Sequence, residues 1–403
     1  MARGRGMKGS NINEKILSLI AVLYSERSLP DKTSALQNLD WPAIAGAVEN
    51  AGMAGYFSDL LLQTETGLEV PSAFAESLKN AARRIAARNA FYKFECERIL
   101  KKLHNASIEN ILLKGFSYMQ DIYGNTAARR MSDIDLLIRP DDRLIVLEYL
   151  RAEGYSEYVT PSFRGSQNDF INLSDIKGEA HFIRKIGALI VNIDLHWKFR
   201  ANFPMNDYLS MDSFPWWENC STVLIGGTPA TRLSPEMQFI HLALHFALHH
   251  QYTGLRWFVE LGLFLRRFAS VLDWEYIDRT ASSPDCRKLL GICLRLVTDY
   301  LGESWCASAI WKKFLPADTL LPGEYRFYQY CLMKVSWSRF SKYICMLLSP
   351  ATISGRLRLI SYFFFDSEGI VMWHGSNKKV PKWMQPFYSL YIVGCQLLQG
   401  KRH

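Results

Sequence analysis

The chain has 403 residues, 49% hydrophobic and 13% aromatic, enough for two or three packed domains and too apolar for a disordered chain. Its eight cysteines contain no Cys-x-x-C pair, which excludes a disulfide framework and a cysteine zinc site, and no run approaches eighteen apolar residues, which excludes a spanning helix. A net charge of +8 is modest for this length, so its distribution matters more than its size.

Residues 1–8 are basic, but the apolar run that follows, 16–23, is interrupted by Ser18 and soon meets Glu26 and Arg27 without a small-residue cleavage site. A cytoplasmic protein with no signal peptide is expected. Helices are predicted over 13–24, 41–51, 53–63 and 77–104, the last from Leu78, Ala82, Ile85, Phe91, Phe94 and Ile99 recurring at helical spacing. Residues 1–105 therefore read as an N-terminal helical domain with no chemistry of their own.

Residues 106–200 read as an α/β core. Ile111-Leu112-Leu113 is a short buried strand, Gly115 a turn, and 117–123 the start of a helix, an order that presents backbone N–H groups to phosphate. In the next strand, 132–138, Asp133 and Asp135 alternate with Ile134 and Leu136, so both carboxylates project to one face roughly 7 Å apart. Two anions that close call for a cation, and magnesium, which prefers hard oxygens and keeps sites for waters and phosphates, is the natural candidate. Arg139-Pro140 ends the strand, and Asp141 caps a helix to about Ala152 that offers Leu144, Val146, Leu147 and Leu150 to the sheet before Gly154. Antiparallel strands are predicted over 170–173 and 181–184, leading through Lys185-Ile186-Gly187 into the return strand of a hairpin over 188–195. Asp194 on that strand joins the site if the strand lies beside the first. Three aspartates on two strands can hold two magnesium ions, or manganese, which is the chemistry of nucleotidyl transfer.

Residues 201–324 are expected to form a helical domain. Ser234-Pro235-Glu236 is an N-cap, a first-turn proline and an early acid. His241, His245 and His249 recur every four residues and share a face of the helix that follows, and Arg256, Trp257 and Glu260 open the next one. No acid at matching spacing makes the histidines a metal helix. The last segment, 325–403, carries eleven Lys and Arg against Asp366 and Glu368, a net +9, which leaves residues 1–324 near neutral. Interleaved with aromatic residues, this basic helical segment suits nucleic acid or a peripheral membrane surface, or simply a solvated face.

Leu113-Lys114-Gly115, then Arg129-Arg130-Met131-Ser132-Asp133-Ile134-Asp135-Leu136-Leu137, then Asp194-Leu195-His196-Trp197 resemble the bacterial family called uncharacterised nucleotidyltransferases, within the superfamily typified by DNA polymerase β and kanamycin nucleotidyltransferase. Leu233-Ser234-Pro235-Glu236, His245-Phe246-Ala247-Leu248-His249 and Leu255-Arg256-Trp257 extend the resemblance over roughly residues 40–270. It implies an α+β fold, a mixed sheet with flanking helices set between N- and C-terminal helical domains. By the same resemblance Asp133, Asp135 and Asp194 are the metal triad, and Gly115 with Ser117 is the phosphate-side turn of a site for ATP or another nucleoside triphosphate. Lys114, Arg129 and Ser132 complete the candidate nucleotide contacts, and Arg130, His196, His245, His249 and Arg256 are candidate contacts for the acceptor. Phe116 stands where the superfamily usually has Ser after the Gly, and Glu260 where this family tends to carry Asp. The expected reaction moves a nucleoside monophosphate onto a hydroxyl, phosphate or amine. RNA is an alternative acceptor, and a non-catalytic scaffold with the same fold is the reading from a different class.

Overall fold

The computed structural model describes residues 12–25, 39–63, 70–158, 178–199, 209, 211–316, 318–334 and 339–365, together with 384 and 387. In chain order, α1 (Ile12–Leu23), α2 (Trp41–Asn50), α3 (Ala54–Ser58, running into a π turn at Asp59–Gln63) and α4 (Ser72–Asn105) precede the sheet. Then come β1 (Asn110–Leu113), α5 (Gly115–Tyr123), β2 (Ile134–Ile138), α6 (Arg143–Ala152), β3 (Ser156–Glu157), β4 (Glu179–Ile186) and β5 (Leu189–His196). A hairpin of β6 (Ser221–Ile225) and β7 (Thr228–Arg232) leads into α7 (Pro235–Leu244), a π turn (His245–His249) and α8 (Leu255–Phe268). The remaining helices are α9 (Trp274–Thr280), α10 (Pro284–Leu301), α11 (Ser308–Phe314), α12 (Glu324–Met333), α13 (Arg339–Leu348) and α14 (Ile353–Phe365).

Five strands form one sheet in the order β1-β2-β5-β4-β3. It is mixed: β2 and β5 run parallel, and the other neighbours are antiparallel. The α+β class expected from the sequence is the one observed. Alternation along the strands sorts side chains onto two faces. Ile134, Leu136 and Ile138 of β2, with Val191, Ile193 and Leu195 of β5, pack under Tyr92, Ile99 and Leu103 of α4 and Val146 and Leu150 of α6. The opposite face turns toward a second core built from α1–α3, α7, α8 and α10, which also takes Ile111, Leu113 and Leu137. α1 and the helices after β7 contribute to that one core, and Asn13 of α1 donates to the Leu332 carbonyl of α12 at 3.2 Å, so helices before and after the sheet pack together.

Several local readings shift in the folded chain. β2 begins at Ile134, so Asp133 sits just ahead of the strand. The helix after β2 is introduced by a short 3₁₀ turn, Pro140–Asp142; Val146 and Leu150 are buried on the sheet side with Leu147 packed beside them, and Leu144, also expected against the sheet, is exposed. Ser234 caps α7 as predicted, its hydroxyl accepting from the Met237 N–H at 3.2 Å. The stretch read as a helical domain opens with the β6–β7 hairpin, whose Ile225 and Ala230 join the sheet core. The predicted strand at 170–173, the basic N-terminal residues and most of the basic segment after 365 lie outside the described residues. Among the described residues no helix is long and apolar enough to cross a membrane.

Candidate active site

One row across the sheet organises the site. Leu113 of β1 pairs with Asp135 of β2, Asp135 with Asp194 of β5, and Asp194 with His181 of β4. Parallel neighbours lie about 4.8 Å apart, so Asp135 and Asp194 stand side by side, and the period-two pleat sends both toward the helical core rather than into the apolar layer under α4. The next row pairs Leu137, His196 and Glu179 in the same way.

The turn between β1 and α5 supplies the cation. Lys114 has φ +45° and Gly115 φ +33°, two consecutive left-handed residues that end the strand and start the helix within one step. Gly115 tolerates that backbone because it has no Cβ; Lys114 does not tolerate it freely, and such strain is kept where surrounding contacts enforce it. Here the enforcing contact is an ion pair: Lys114 Nζ lies 2.7 Å from Asp135 Oδ1, with the Asp135 side chain buried and that of Lys114 11% exposed. The Ser117 hydroxyl donates to the Lys114 carbonyl at 2.6 Å, so Ser117 is spent on the turn and does not line the cavity.

Asp133, Asp135 and Asp194 all open into one cavity of about 230 Å³, with Lys114 and Arg129 on its rim. Burial, and then the neighbouring Asp135 carboxylate, push the Asp133 carboxyl up to about 6. Burial acts on Asp135 in the same sense, but Lys114 and His196 outweigh it and hold that carboxyl well below the usual range. Lys114 is likewise held above its ordinary value, the aspartates overcoming its desolvation. The acids are thus unequal. One is saturated by cations of the chain, and another carries charge that burial disfavours.

The far wall is made of imidazoles. α7 loosens into the π turn at His245–His249, which leaves the His245 and His249 rings stacked with centroids 4.8 Å apart and puts His250 Nε2 3.0 Å from His245 Nε2. His241, His245, His249, His250 and Trp257 all face the cavity. Burial drives His241, His245 and His249 below the ordinary imidazole value, which disfavours charge on these three rings, and among the described residues His241 Nδ1 has no hydrogen-bond partner. Neutral imidazoles and an indole offer single hydrogen bonds and ring faces rather than charge.

Other candidates are placed differently. Arg129, 2% exposed, is ion-paired to Glu260 at 2.6 Å, with Trp257 beside it, so it reaches the cavity already compensated. Arg130 and Ser132 do not line the cavity; the Arg130 N–H donates to the Gly52 carbonyl at 2.7 Å, and the Ser132 carbonyl accepts from Tyr92 at 2.8 Å and Asn192 at 2.8 Å. Arg256 lies over the Trp257 ring at 4.0 Å, outside the lining. His196 does line the cavity, 3.6 Å from Asp135 Oδ1, an ionic contact too long for a hydrogen bond.

Two lining residues went unnoticed in the sequence, Glu179 and His181. His181 Nδ1 lies 2.7 Å from Asp194 Oδ1, and Glu179 lies between His181 and His196. The signal was available: a two-residue hairpin turn at Gly187 fixes the β4–β5 register, and that register puts His181 opposite Asp194 and Glu179 opposite His196.

Three carboxylates, on β5, on β2 and just ahead of β2, one of them pushed up by burial and then by its neighbour, are the donor chemistry that a hard divalent cation takes. As the side chains stand, Asp135 Oδ1 is on Lys114 and Asp194 Oδ1 on His181, and among the described residues no group of three or more His, Cys, Asp or Glu is close enough to hold a metal ion. The donor set fits, and each of those contacts takes only the Oδ1 oxygen of its carboxylate. A family model described as uncharacterised nucleotidyltransferase matches residues 37–302, a span that contains every residue of this cavity. No match was found among curated proteins.

Proposed function

The chain belongs to this family of nucleotidyltransferases, and from that premise we propose that the cavity transfers a nucleoside monophosphate from a nucleoside triphosphate to an acceptor hydroxyl. The acceptor oxygen forms a bond to the α-phosphorus, the bond to the bridging oxygen breaks, and pyrophosphate leaves with that oxygen. The acceptor's proton passes to Asp194, the acid at the centre of the row and the one contacted by an imidazole rather than by Lys114.

Asp133, Asp135 and Asp194 would hold magnesium, or manganese in its place, which when bound supplies Lewis-acid neutralisation at the phosphate chain. Lys114 holds the Asp135 side of the site and places its ammonium where a phosphate oxygen accepts a charge-assisted hydrogen bond. The N-terminus of α5 adds backbone N–H groups at the same edge. Arg129, fixed by Glu260, presents the rest of its guanidinium to the cavity. The histidine wall faces the acids across the cavity and receives the uncharged part of a substrate, excluding water without competing for the cation.

The observation that carries this reading is the parallel register of Asp135 with Asp194 at the floor of one cavity. Incubating the protein with each nucleoside triphosphate, magnesium and a cell extract should release pyrophosphate and label the acceptor. Asp133→Asn should lower that release by about 10³-fold, the scale of losing a principal electrostatic group, while the protein stays folded. Undiminished release from the variant would sink the assignment.

A further inference from the structure

Glu179 and His181 have no role in the reaction as written above, yet they join the two halves of the acidic site. On β4 they stand two residues apart, opposite His196 and Asp194 of β5, so all four side chains share the cavity face. His181 Nδ1 is 2.7 Å from Asp194 Oδ1, and its Nε2 is 3.5 Å from Glu179 Oε1. The other oxygen of Glu179 lies 3.3 Å from His196 Nδ1, and His196 Nε2 lies 3.6 Å from Asp135 Oδ1. The contacts form one continuous line, Asp194, His181, Glu179, His196, Asp135, in which carboxylates and imidazoles alternate.

We infer that Glu179 is a positioning residue: through His181, the imidazole at hydrogen-bond distance from Asp194, it sets the orientation of a carboxylate that the divalent cation uses. This rests on the reading of the site proposed above. The physical reason is orientational. A strand fixes where an aspartate Cα sits but leaves two side-chain torsions, and a carboxylate oxygen held by an imidazole loses that freedom. An imidazole anchored on one nitrogen only can still turn about its own torsions, so the anchor on the second nitrogen matters. Glu179 provides it to both rings, one oxygen each. The fold does not depend on this link. β4 and β5 are paired over their full lengths, and Ala180, Phe182, Ile193 and Leu195 on the other face hold them to the core.

The test uses the full-length protein, with Mn²⁺ alone followed by electron paramagnetic resonance, and pyrophosphate release followed separately. Glu179→Gln keeps the shape but leaves one acceptor oxygen for two imidazoles. It should weaken Mn²⁺ binding and lower kcat by 10- to 100-fold, the scale at which partners of metal ligands act, without changing the melting temperature. Glu179→Asp, which keeps both oxygens, should recover part of the loss. His181→Gln breaks the same line one step away, so the double variant should be little worse than the worse single one. If Glu179→Gln does not fold, His181→Gln alone decides the matter through Mn²⁺ binding. Wild-type Mn²⁺ binding in Glu179→Gln, or in His181→Gln, overturns the inference. Asp194→Asn is run in parallel. If it is inactive while Glu179→Gln is unaffected, only the positioning role fails; if Asp194→Asn turns over normally, or the wild type does not bind Mn²⁺, the reading of the site itself fails.

Discussion

Two clusters of buried charge in this molecule obey opposite rules. The first joins α10 to the C-terminal helices. Lys288, 0% exposed, sends its ammonium to Glu324 at 2.5 Å, the Leu348 carbonyl at 2.6 Å and the Pro350 carbonyl at 3.0 Å, three donors for three acceptors. Glu324 in turn accepts from Tyr328, the Leu321 N–H and Arg356. Lys288 and Arg356 share the one carboxylate, and the Lys288 ammonium finds all its acceptors within the chain. The second cluster is the cavity floor, where Asp133, Asp135, Asp194 and Glu179 face Lys114, His181 and His196, and where Asp133 is pushed up to about 6. Even with both imidazoles protonated, four acids meet three cations. A cluster that closes its own hydrogen bonds away from water serves the fold; one that opens into a cavity with more acids than cations is arranged for something that arrives from outside.

The comparison breaks most visibly at Glu324. Removing one member of a buried, ion-paired cluster leaves the other charge uncompensated, which costs about 3–5 kcal/mol. Glu324→Ala should lower the unfolding free energy by that much in denaturant titrations, while turnover per folded molecule stays at the wild-type level. A rate loss larger than the loss of folded protein would mean that the two clusters are coupled.

At Asp133 the opposite sign is expected. Its folded value, about 6, lies above the ordinary carboxylate value of 3.8, so the native state binds the proton more tightly than the unfolded chain does. Ionisation therefore destabilises the native state: the penalty is absent below 3.8, grows as pH rises toward 6 and is complete above it. Asp133→Asn removes the charge and should stabilise the metal-free protein by about 3 kcal/mol at pH 7.5, a gain that fades as the pH is lowered through this window. Thermal unfolding at pH 7.5 and pH 4 in the presence of a chelator measures it. A variant that is more stable but inactive is the signature of charge kept for function at a cost to the fold.

How much of this was legible in the sequence follows the same division. The aspartates could be read from Asp133-Ile134-Asp135 and Asp194 because strand alternation is local, and the α7 cap because Ser234-Pro235-Glu236 carries its own chemistry. That β5 runs parallel to β2 is a matter of topology, decided by which edge the hairpin offers to the sheet, and nothing within either strand states it. Glu260 was visible only as an acid near the cavity segment; its bond to Arg129 joins residues 131 positions apart and takes a candidate phosphate contact into a pair. The Lys288 cluster was invisible, since a lysine, a glutamate and an arginine scattered over three helices give no periodic signal. The histidine face was read from its spacing, but the π turn that brings His250 against His245 was not.

The smallest effect sharpens the comparison by removing burial from it. Arg84 and Glu49 link α4 to α2 at 2.6 Å, the same separation as Arg129 and Glu260, yet their side chains are 63% and 50% exposed against 2% and 6%. Water screens the outer pair, and its long side chains lose freedom by meeting, so such a pair contributes about 0–1 kcal/mol. Arg84→Ala should therefore shift the melting temperature by no more than about 2–4 °C, the change that 1 kcal/mol produces in domains of a few hundred residues or fewer, and the shift should shrink further in high salt. A shift comparable to that of Glu324→Ala would show that short distance, rather than exclusion of water, sets the strength of ion pairs in this fold, and would remove the basis for treating the two buried clusters as a class apart.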